Sequence, residues 1–409
     1  MAKAPRSADD PPSSAPGRRP RILFLFNHDA AHQAAHIAGI AGVLALTGEA
    51  DVIAAYATPG IRRVVEAAVP AGAAGAIAWA PLDLPRWLDA LLAPVNRIAP
   101  IRRVVRLYRH LDLFAGVDLV VSTERTCLRV KRRLGAGSPK FVYVPHGSGD
   151  RNVAYHPELA QFDLMLLSGQ KLVDEMAAHG IAPPDRCRII GYPKFDVVDS
   201  GKRQRFFAND NPVFLYNPHF DPRLSSWYDI GEQVMAFFAR HPDRYNLIVA
   251  PHVMLFRKKL HYSLEYRCLR RRPDIAERYR SMANILVDLD SPRLFDMSYT
   301  LAADVYIGDV SSQVYEFLLH RGACFFLDTV GASAVGGSPA YEFWENGDVC
   351  RDAAQLTALL PGWAARAAHF RATQDRLFAR TIDQRPDQPA TARGARALLA
   401  YCRERGAAG

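Results

Sequence analysis

Short, mostly apolar runs recur along this chain, and each ends in a polar turn. Ile22–Phe26 (ILFLF) ends on Asn27-His28-Asp29, Phe141–Val144 on Pro145-His146-Gly147, and Arg188–Ile190 on Gly191-Tyr192-Pro193. Val213–Tyr216 ends on Asn217-Pro218-His219, Asn246–Ala250 on Pro251-His252, and Asp304–Ile307 on Gly308-Asp309. A strand that is apolar at successive positions must be covered on both faces, as in a parallel sheet flanked by helices. Helical patterns fill the gaps: Ala34–Leu46, Leu172–His179 up to Gly180, then 229–240, 273–281, 312–320 and 352–372. Further strands are expected at Asp51–Tyr56, Ala76–Trp79, Asp118–Ser122, Leu164–Ser168, Ile285–Asp288 and Ala323–Leu327. The fold class is therefore α/β.

The alternation pauses once, over the polar, Pro-terminated segment 200–212 (SGKRQRFFANDNP), and then restarts. Two doubly wound, Rossmann-like parallel-sheet domains follow from this, over 20–197 and 198–375. Residues 376–409 form a basic helical segment expected to pack back across the halves. Residues 1–19, rich in Pro, Ser and Ala, are expected to be a disordered tail. A chain of 409 residues accommodates this plan, with two domains each large enough to bury a core without disulfides or metals.

Composition removes several classes of function. At 49% hydrophobic and 23% charged residues, the chain is neither disordered in bulk nor fibrous. Its 6 cysteines form no CxxC pair, so there is no zinc signature and no disulfide framework. They read as reduced thiols of a cytoplasmic protein. No G-x-G-x-x-G or Walker A loop is present, which counts against dinucleotide binding and P-loop hydrolysis. No acidic cluster points to a metal, so neither metal nor cofactor is expected. No apolar run is long enough to span a bilayer. The net charge of +9 favours anionic partners. Nucleic acid ranks last among them, because the basic runs lack the aromatic interleaving of a strand-binding groove.

In open parallel sheets, ligands sit beyond the C-terminal ends of the strands. His146-Gly147-Ser148 occupies such a place, and an imidazole there can take a proton from a hydroxyl. A plain turn with a surface histidine fits the same residues. Lys194 and Asp196 are the ligand candidates of the Gly191–Asp196 turn, which equally reads as a hinge. Asn217, His219 and Arg223 follow the first strand of the second half, and His252 follows its second strand; each offers a hydrogen bond or charge to a base or phosphate. The most specific stretch is Ala302–Phe317. It runs from a buried strand through Gly308-Asp309-Val310 to Ser311-Ser312, an expected helix start with two hydroxyls. Glu316, one turn in, is placed to accept ribose hydroxyls, or simply to stabilise the helix start.

Three motifs, in order, resemble the CDP-glycerol glycerophosphotransferase family of polymer-building enzymes, the teichoic-acid type. They are His146-Gly147, Gly191-Tyr192-Pro193-Lys194-Phe195-Asp196, and Ala303 to Ser312. The resemblance covers residues 140–330 and implies a GT-B-like architecture, two Rossmann-like domains facing a cleft. It also implies His146 as catalytic base, Ser311-Ser312 holding the donor's pyrophosphate, and His252 on a donor phosphate. Asp309, in the third motif, joins His146 as a catalytic candidate. The implied partners are CDP-glycerol or another nucleotide-activated donor, and a lipid-linked or polymeric acceptor. Ser148 stands where the family usually has Thr, and Glu316-Phe317 where it often has Asp-Tyr. A Glu there is commoner in nucleotide-sugar glycosyltransferases of the same architecture. A glycosyltransferase or 2-epimerase-like enzyme is therefore the alternative. The transferase reading requires 146, 252 and 311–312 to converge on one diphosphate.

Residues 84–110 add a second theme. Arg102, Arg106 and Arg109 fall on one helical face with Trp87 nearby, a pattern that suits an anionic membrane surface or a solvated amphipathic helix. A cytoplasmic protein, peripheral on the inner face of the plasma membrane, is the localisation this suggests.

Overall fold

The structure is a computed structural model that describes residues 18–27, 33–96, 101–147, 155–198, 201, 203–263, 266–331 and 341–406. The proposed tail, residues 1–17 of it, and Ser148 lie outside the described residues. The chain divides into two compact units, one of 1–146, 155–197 and 382–409, the other of 147–154 and 198–381.

In the first unit β1 (Arg21–Phe26), β2 (Asp51–Tyr56), β3 (Ala78–Pro81), β4 (Leu119–Ser122), β5 (Lys140–Tyr143), β6 (Leu164–Leu167) and β7 (Cys187–Ile189) form one sheet in the order β3-β2-β1-β4-β5-β6-β7. All its pairings are parallel. Its helices are α1 (Ala35–Thr47), α2 (Pro59–Ala68), α3 (Arg86–Asn96), α4 (Ile101–Arg109), α5 (Leu111–Ala115), α6 (Leu128–Leu134), α7 (Gln170–Ala178) and α8 (Lys194–Val197). Ile22 through Phe26 are all fully buried, so β1 is covered on both faces as its composition requires. Each such side chain contributes about 1.5–3 kcal/mol by leaving water.

The second unit repeats the plan. The strands β8 (Val213–Asn217), β9 (Asn246–Val249), β12 (Ile285–Val287), β13 (Val305–Gly308), β14 (Ala323–Leu327) and β15 (Asp348–Cys350) pair in parallel in the order β12-β9-β8-β13-β14-β15. Between β9 and β12 the chain inserts a separate antiparallel hairpin, β10 (Leu260–Ser263) and β11 (Cys268–Arg271). The helices are α9 (Trp227–Ala239), α10 (Glu277–Arg280), α11 (Ser298–Ala302), α12 (Gln313–Phe317), α13 (Ala353–Leu359) and α14 (Trp363–Thr381). The expected helix over 352–372 is cut by Leu360-Pro361-Gly362, because proline cannot continue the hydrogen-bond ladder. Those over 273–281 and 312–320 shrink to one short helix each.

The C-terminal helix α15 (Ala390–Gly406) returns to the first unit, where Ala395, Leu398 and Leu399 join the core formed by α1 and the sheet. The Gly191–Asp196 turn receives it. Asp196 accepts the Thr391 N–H at 2.6 Å. Gly191 has a φ of +86°, and a Cβ there would collide with Arg393 Nη2 and stand 2.8 Å from the Asp383 carbonyl oxygen. Both the left-handed backbone and the backbone neighbour exclude a side chain. Gly191→Ala should therefore lower stability by roughly 2 kcal/mol or more. A thermal melt that matches the unaltered chain would contradict this account of the turn.

Candidate functional site

In the first unit the polar groups gather where β1, β4 and β5 end, beside the point at which strand order reverses. Asn27, wholly buried, donates from Nδ2 to the Arg103 carbonyl oxygen at 2.9 Å. Arg103, from α4, pairs with Glu124 at 3.0 Å. Strands β4 and β5 are neighbours with Ser122 opposite Tyr143, so the residues just past them meet. There His146 Nδ1 lies 3.2 Å from the Thr123 carbonyl oxygen. A carbonyl only accepts, so Nδ1 carries the hydrogen and the neutral ring holds its lone pair on Nε2. Burial lowers the His146 pKa below the usual 6.5; the Thr123 hydrogen bond opposes this, and the Arg103 charge lowers it further. His146 is nevertheless exposed to solvent, so its desolvation comes from protein crowding about the ring and leaves it within reach of a substrate. His36, from α1, stands edge-on to His146 at 6.4 Å and to Tyr192 at 5.2 Å.

Lys194 lies buried in the same unit, at 3% exposure, rather than at an accessible strand edge. The arginine face read from 84–110 does not form as expected. Arg106 points inward and is buried, and Arg102 bonds to the Asp89 carbonyl oxygen and carboxylate at 2.7 and 3.0 Å, which ties α4 to α3. Trp87, at 68% exposure, and Arg109 remain on the surface. The reason is that the segment is two helices packed on each other, not one helix with a single outer face.

In the second unit the corresponding switch point lies between β8 and β13. Asn217 ends β8 but turns inward: its Nδ2 donates to the Ala250 carbonyl oxygen at 2.6 Å and its Oδ1 accepts the Tyr306 hydroxyl at 3.1 Å. It links β8 to β13 and to the end of β9, with both amide atoms occupied. Asp309 is wholly buried, and its Oδ2 accepts the His219 N–H at 2.7 Å. It therefore positions the Pro218–Phe220 loop and does not reach solvent, which removes it from direct contact with a substrate. Burial pushes its pKa from 3.8 up to about 7, against hydrogen bonds from Ser226 and His219. The ring of His219 is 5.6 Å from that of His252 and 4.6 Å from that of Phe220. His252 is half-buried, and Arg223 is exposed with Nη2 3.5 Å from the Val330 carbonyl oxygen.

Ser311 Oγ accepts the Gln313 N–H at 3.3 Å, whereas Ser312 makes no capping bond. Helix α12 has only 5 residues, so its dipole is small and the two hydroxyls are the features this turn offers. Gly147 groups with this unit, and a Cβ there would stand 2.8 Å from Ser312 Oγ. Glu316 is buried and lines a small recess of about 10 Å³ with Asn217, Arg293, Thr300 and Gln313. That is room for about one water molecule, far below the ~300–1,000 Å³ of most ligand pockets. Sequence reasoning missed Asn27, His36, Arg103, Thr123 and Glu124. The polar turn after Ile22–Phe26 was the one signal pointing to any of them.

No protein-family model matches this chain, and no curated protein sequence does. Among solved structures it resembles the wall teichoic acid polymerase TagF, with a TM-score of 0.62 and 12% identity over 95% of this chain and 90% of that chain. A TagF variant soaked with CDPG gives 0.62 and 13% over the same shares. The UDP-GlcNAc 2-epimerase from Neisseria meningitidis, bound to UDP-GlcNAc, gives 0.58 and 10% over 94% of this chain and 100% of that chain. The fold is GT-B-like, as the sequence motifs implied.

The Asp309 environment has a testable signature. A carboxyl whose folded pKa is about 7 instead of 3.8 holds its proton more tightly folded than unfolded. Its stabilising contribution is full below the unfolded value and is lost as pH rises through the folded one, at up to ~1.4 kcal/mol per pH unit. Asp309→Asn keeps the acceptor for the His219 N–H but cannot ionise. Relative to this variant, the unaltered chain should lose thermal stability between pH 5 and 7 and run parallel to it above about pH 7. Parallel curves over the whole range would show that Asp309 does not titrate there.

Proposed function

We propose that this protein is a transferase that moves glycerol phosphate from CDP-glycerol to a hydroxyl of a lipid-linked or polymeric acceptor. The observation that carries the reading is His146, a neutral imidazole whose Nδ1–H is bound to the Thr123 carbonyl oxygen, leaving the Nε2 lone pair as the base. Support also comes from the three motifs and from the fold likeness to TagF.

In this mechanism His146 Nε2 takes the proton of the acceptor hydroxyl. The oxygen attacks the phosphorus that bears glycerol, a new P–O bond forms, and the bond to the CMP phosphate breaks. CMP leaves with the electron pair, and His146 returns its proton to solvent. Phosphoryl transfer asks mainly for charge stabilisation on the phosphate oxygens. The Ser311 and Ser312 hydroxyls, His252 and Arg223 are the groups we assign to that task. Lys194 and Asn217 hold the fold around the site, and Asp309 positions the His219 loop. The acceptor would bring the protein to an anionic membrane surface.

Glu316, which follows Ser311-Ser312 by one helical turn, favours a second reading, a nucleotide-sugar glycosyltransferase or 2-epimerase-like enzyme in which that carboxylate grips ribose. A nucleotide panel separates the two. CDP or CTP should raise the melting temperature more than UDP or GDP at equal concentration; a preference for UDP would establish the second reading instead. His146→Ala should abolish transfer and leave the CDP-induced shift nearly intact. The acid limb of kcat/KM should fall below the ordinary histidine value of 6.5, because burial disfavours the imidazolium. Turnover that survives His146→Ala would remove the base assignment.

A further inference from the structure

The inserted hairpin β10–β11 has no place in either sheet, and its two faces differ sharply. His261 and Ser263 face inward, whereas Leu260 and Tyr262 face out; on β11 the outward pair is Leu269 and Arg271. Leu260 pairs across the strands with Arg271, and Tyr262 with Leu269. The inner face is well anchored. His261 Nε2 lies 2.9 Å from the Leu255 carbonyl oxygen and 3.0 Å from that of Lys258. Arg270 pairs with Asp229 at 2.6 Å, and the buried Arg272 guanidinium sits 4.1 Å from the centre of the Phe256 ring. The hairpin thus holds Leu260, Tyr262 and Leu269 in water at 58%, 55% and 62% exposure.

A protein gains nothing by fixing three large apolar side chains in solvent, and a merely solvated charge run does not account for them. Around them stand the exposed cations Arg257, Arg267 and Arg271, which form no ion pair among the described residues. Between 254 and 274 the sequence carries 7 Lys and Arg against 2 acids, a net +5 out of the chain's +9. Two aliphatic side chains, a tyrosine and a ring of long cationic stems match the layered chemistry of a bilayer edge. Apolar groups enter the acyl boundary, the phenol sits among headgroups, and the cations meet phosphates. The outward face of α3, with Trp87, Leu91 and Val95 exposed, is also apolar, but the exposed acid Asp83 precedes it and its own Asp89 is paired with Arg102.

We propose that the outer face of the β10–β11 hairpin docks this protein on a bilayer containing anionic phospholipid. The proposal stands whichever donor the protein uses. Co-sedimentation of the full chain with vesicles of phosphatidylglycerol in phosphatidylcholine tests it, with phosphatidylcholine alone as control. Binding to the anionic vesicles is expected at low salt and should weaken as salt screens the cations. The triple variant Leu260→Ser/Tyr262→Ser/Leu269→Ser should weaken it roughly tenfold or more. Arg267→Glu/Arg271→Glu, which alters only exposed charges, should do likewise and decides the matter if the triple variant does not fold. Failure to pellet on anionic vesicles at low salt would overturn the proposal. So would pelleting that survives both variants but is lost in Trp87→Ser/Leu91→Ser, which would assign docking to α3. Retention on soluble polyphosphate without vesicle binding would assign the surface to a soluble polyanion and equally overturn it.

Discussion

Covering both faces of a parallel sheet leaves the chain few places for polar chemistry. In β1 every residue from Ile22 to Phe26 is buried, and in β13 every residue from Val305 to Gly308 is buried. Hydroxyls, imidazoles and carboxyls that are to meet a ligand must therefore stand past the strand ends, and the reversal in strand order opens space for them there. The same constraint governs the polar groups that do not meet a ligand. Asn217 and Asp309 sit at those ends but are buried: both amide atoms of Asn217 are hydrogen-bonded, whereas Asp309 is held through Oδ2 and its Oδ1 has no hydrogen-bond partner among the described residues, a cost that favours the protonated carboxyl.

The strands were legible because their composition is their cause. Asp51–Tyr56 and Ala323–Leu327 have the bounds that their apolar runs suggest, and most others shift by a residue or two. Helices were less legible where local chemistry overrides a long pattern, as at Pro361-Gly362. The β10–β11 hairpin escaped notice for a different reason. Its strands alternate strictly, LHYS against CLRR, but the basic residues dominate the composition and disguise the period of two.

At the site, position was legible and direction was not. The structure puts His146, Asn217, His219, His252 and Asp309 at or just past strand ends, where the apolar runs imply them. Those runs could not tell that Asn217 and Asp309 turn inward while Arg223 turns outward, because that depends on neighbours distant in sequence. Arg106 shows the same limit on a helix. Spacing puts it with Arg102 and Arg109, yet packing of α4 beside α3 buries it and leaves Arg109 in solvent. The partners of His146 were invisible for a further reason: Thr123 contributes a carbonyl oxygen, which every residue possesses.

That last point bears on how a site of this kind persists when sequences diverge. The hydrogen bond that fixes the His146 tautomer is accepted by the backbone of Thr123, and the group that holds Asp309 is the backbone N–H of His219. Both are placed by sheet register, Ser122 against Tyr143 in one unit and Gly308 against Asn217 in the other. Side-chain substitutions around them leave these backbone groups where they are, provided the strands keep their pairing. A tautomer set in this way depends on the fold more than on the identity of neighbouring residues. Side chains around such a site can then change while the backbone keeps the means to fix an imidazole's tautomer at a strand end.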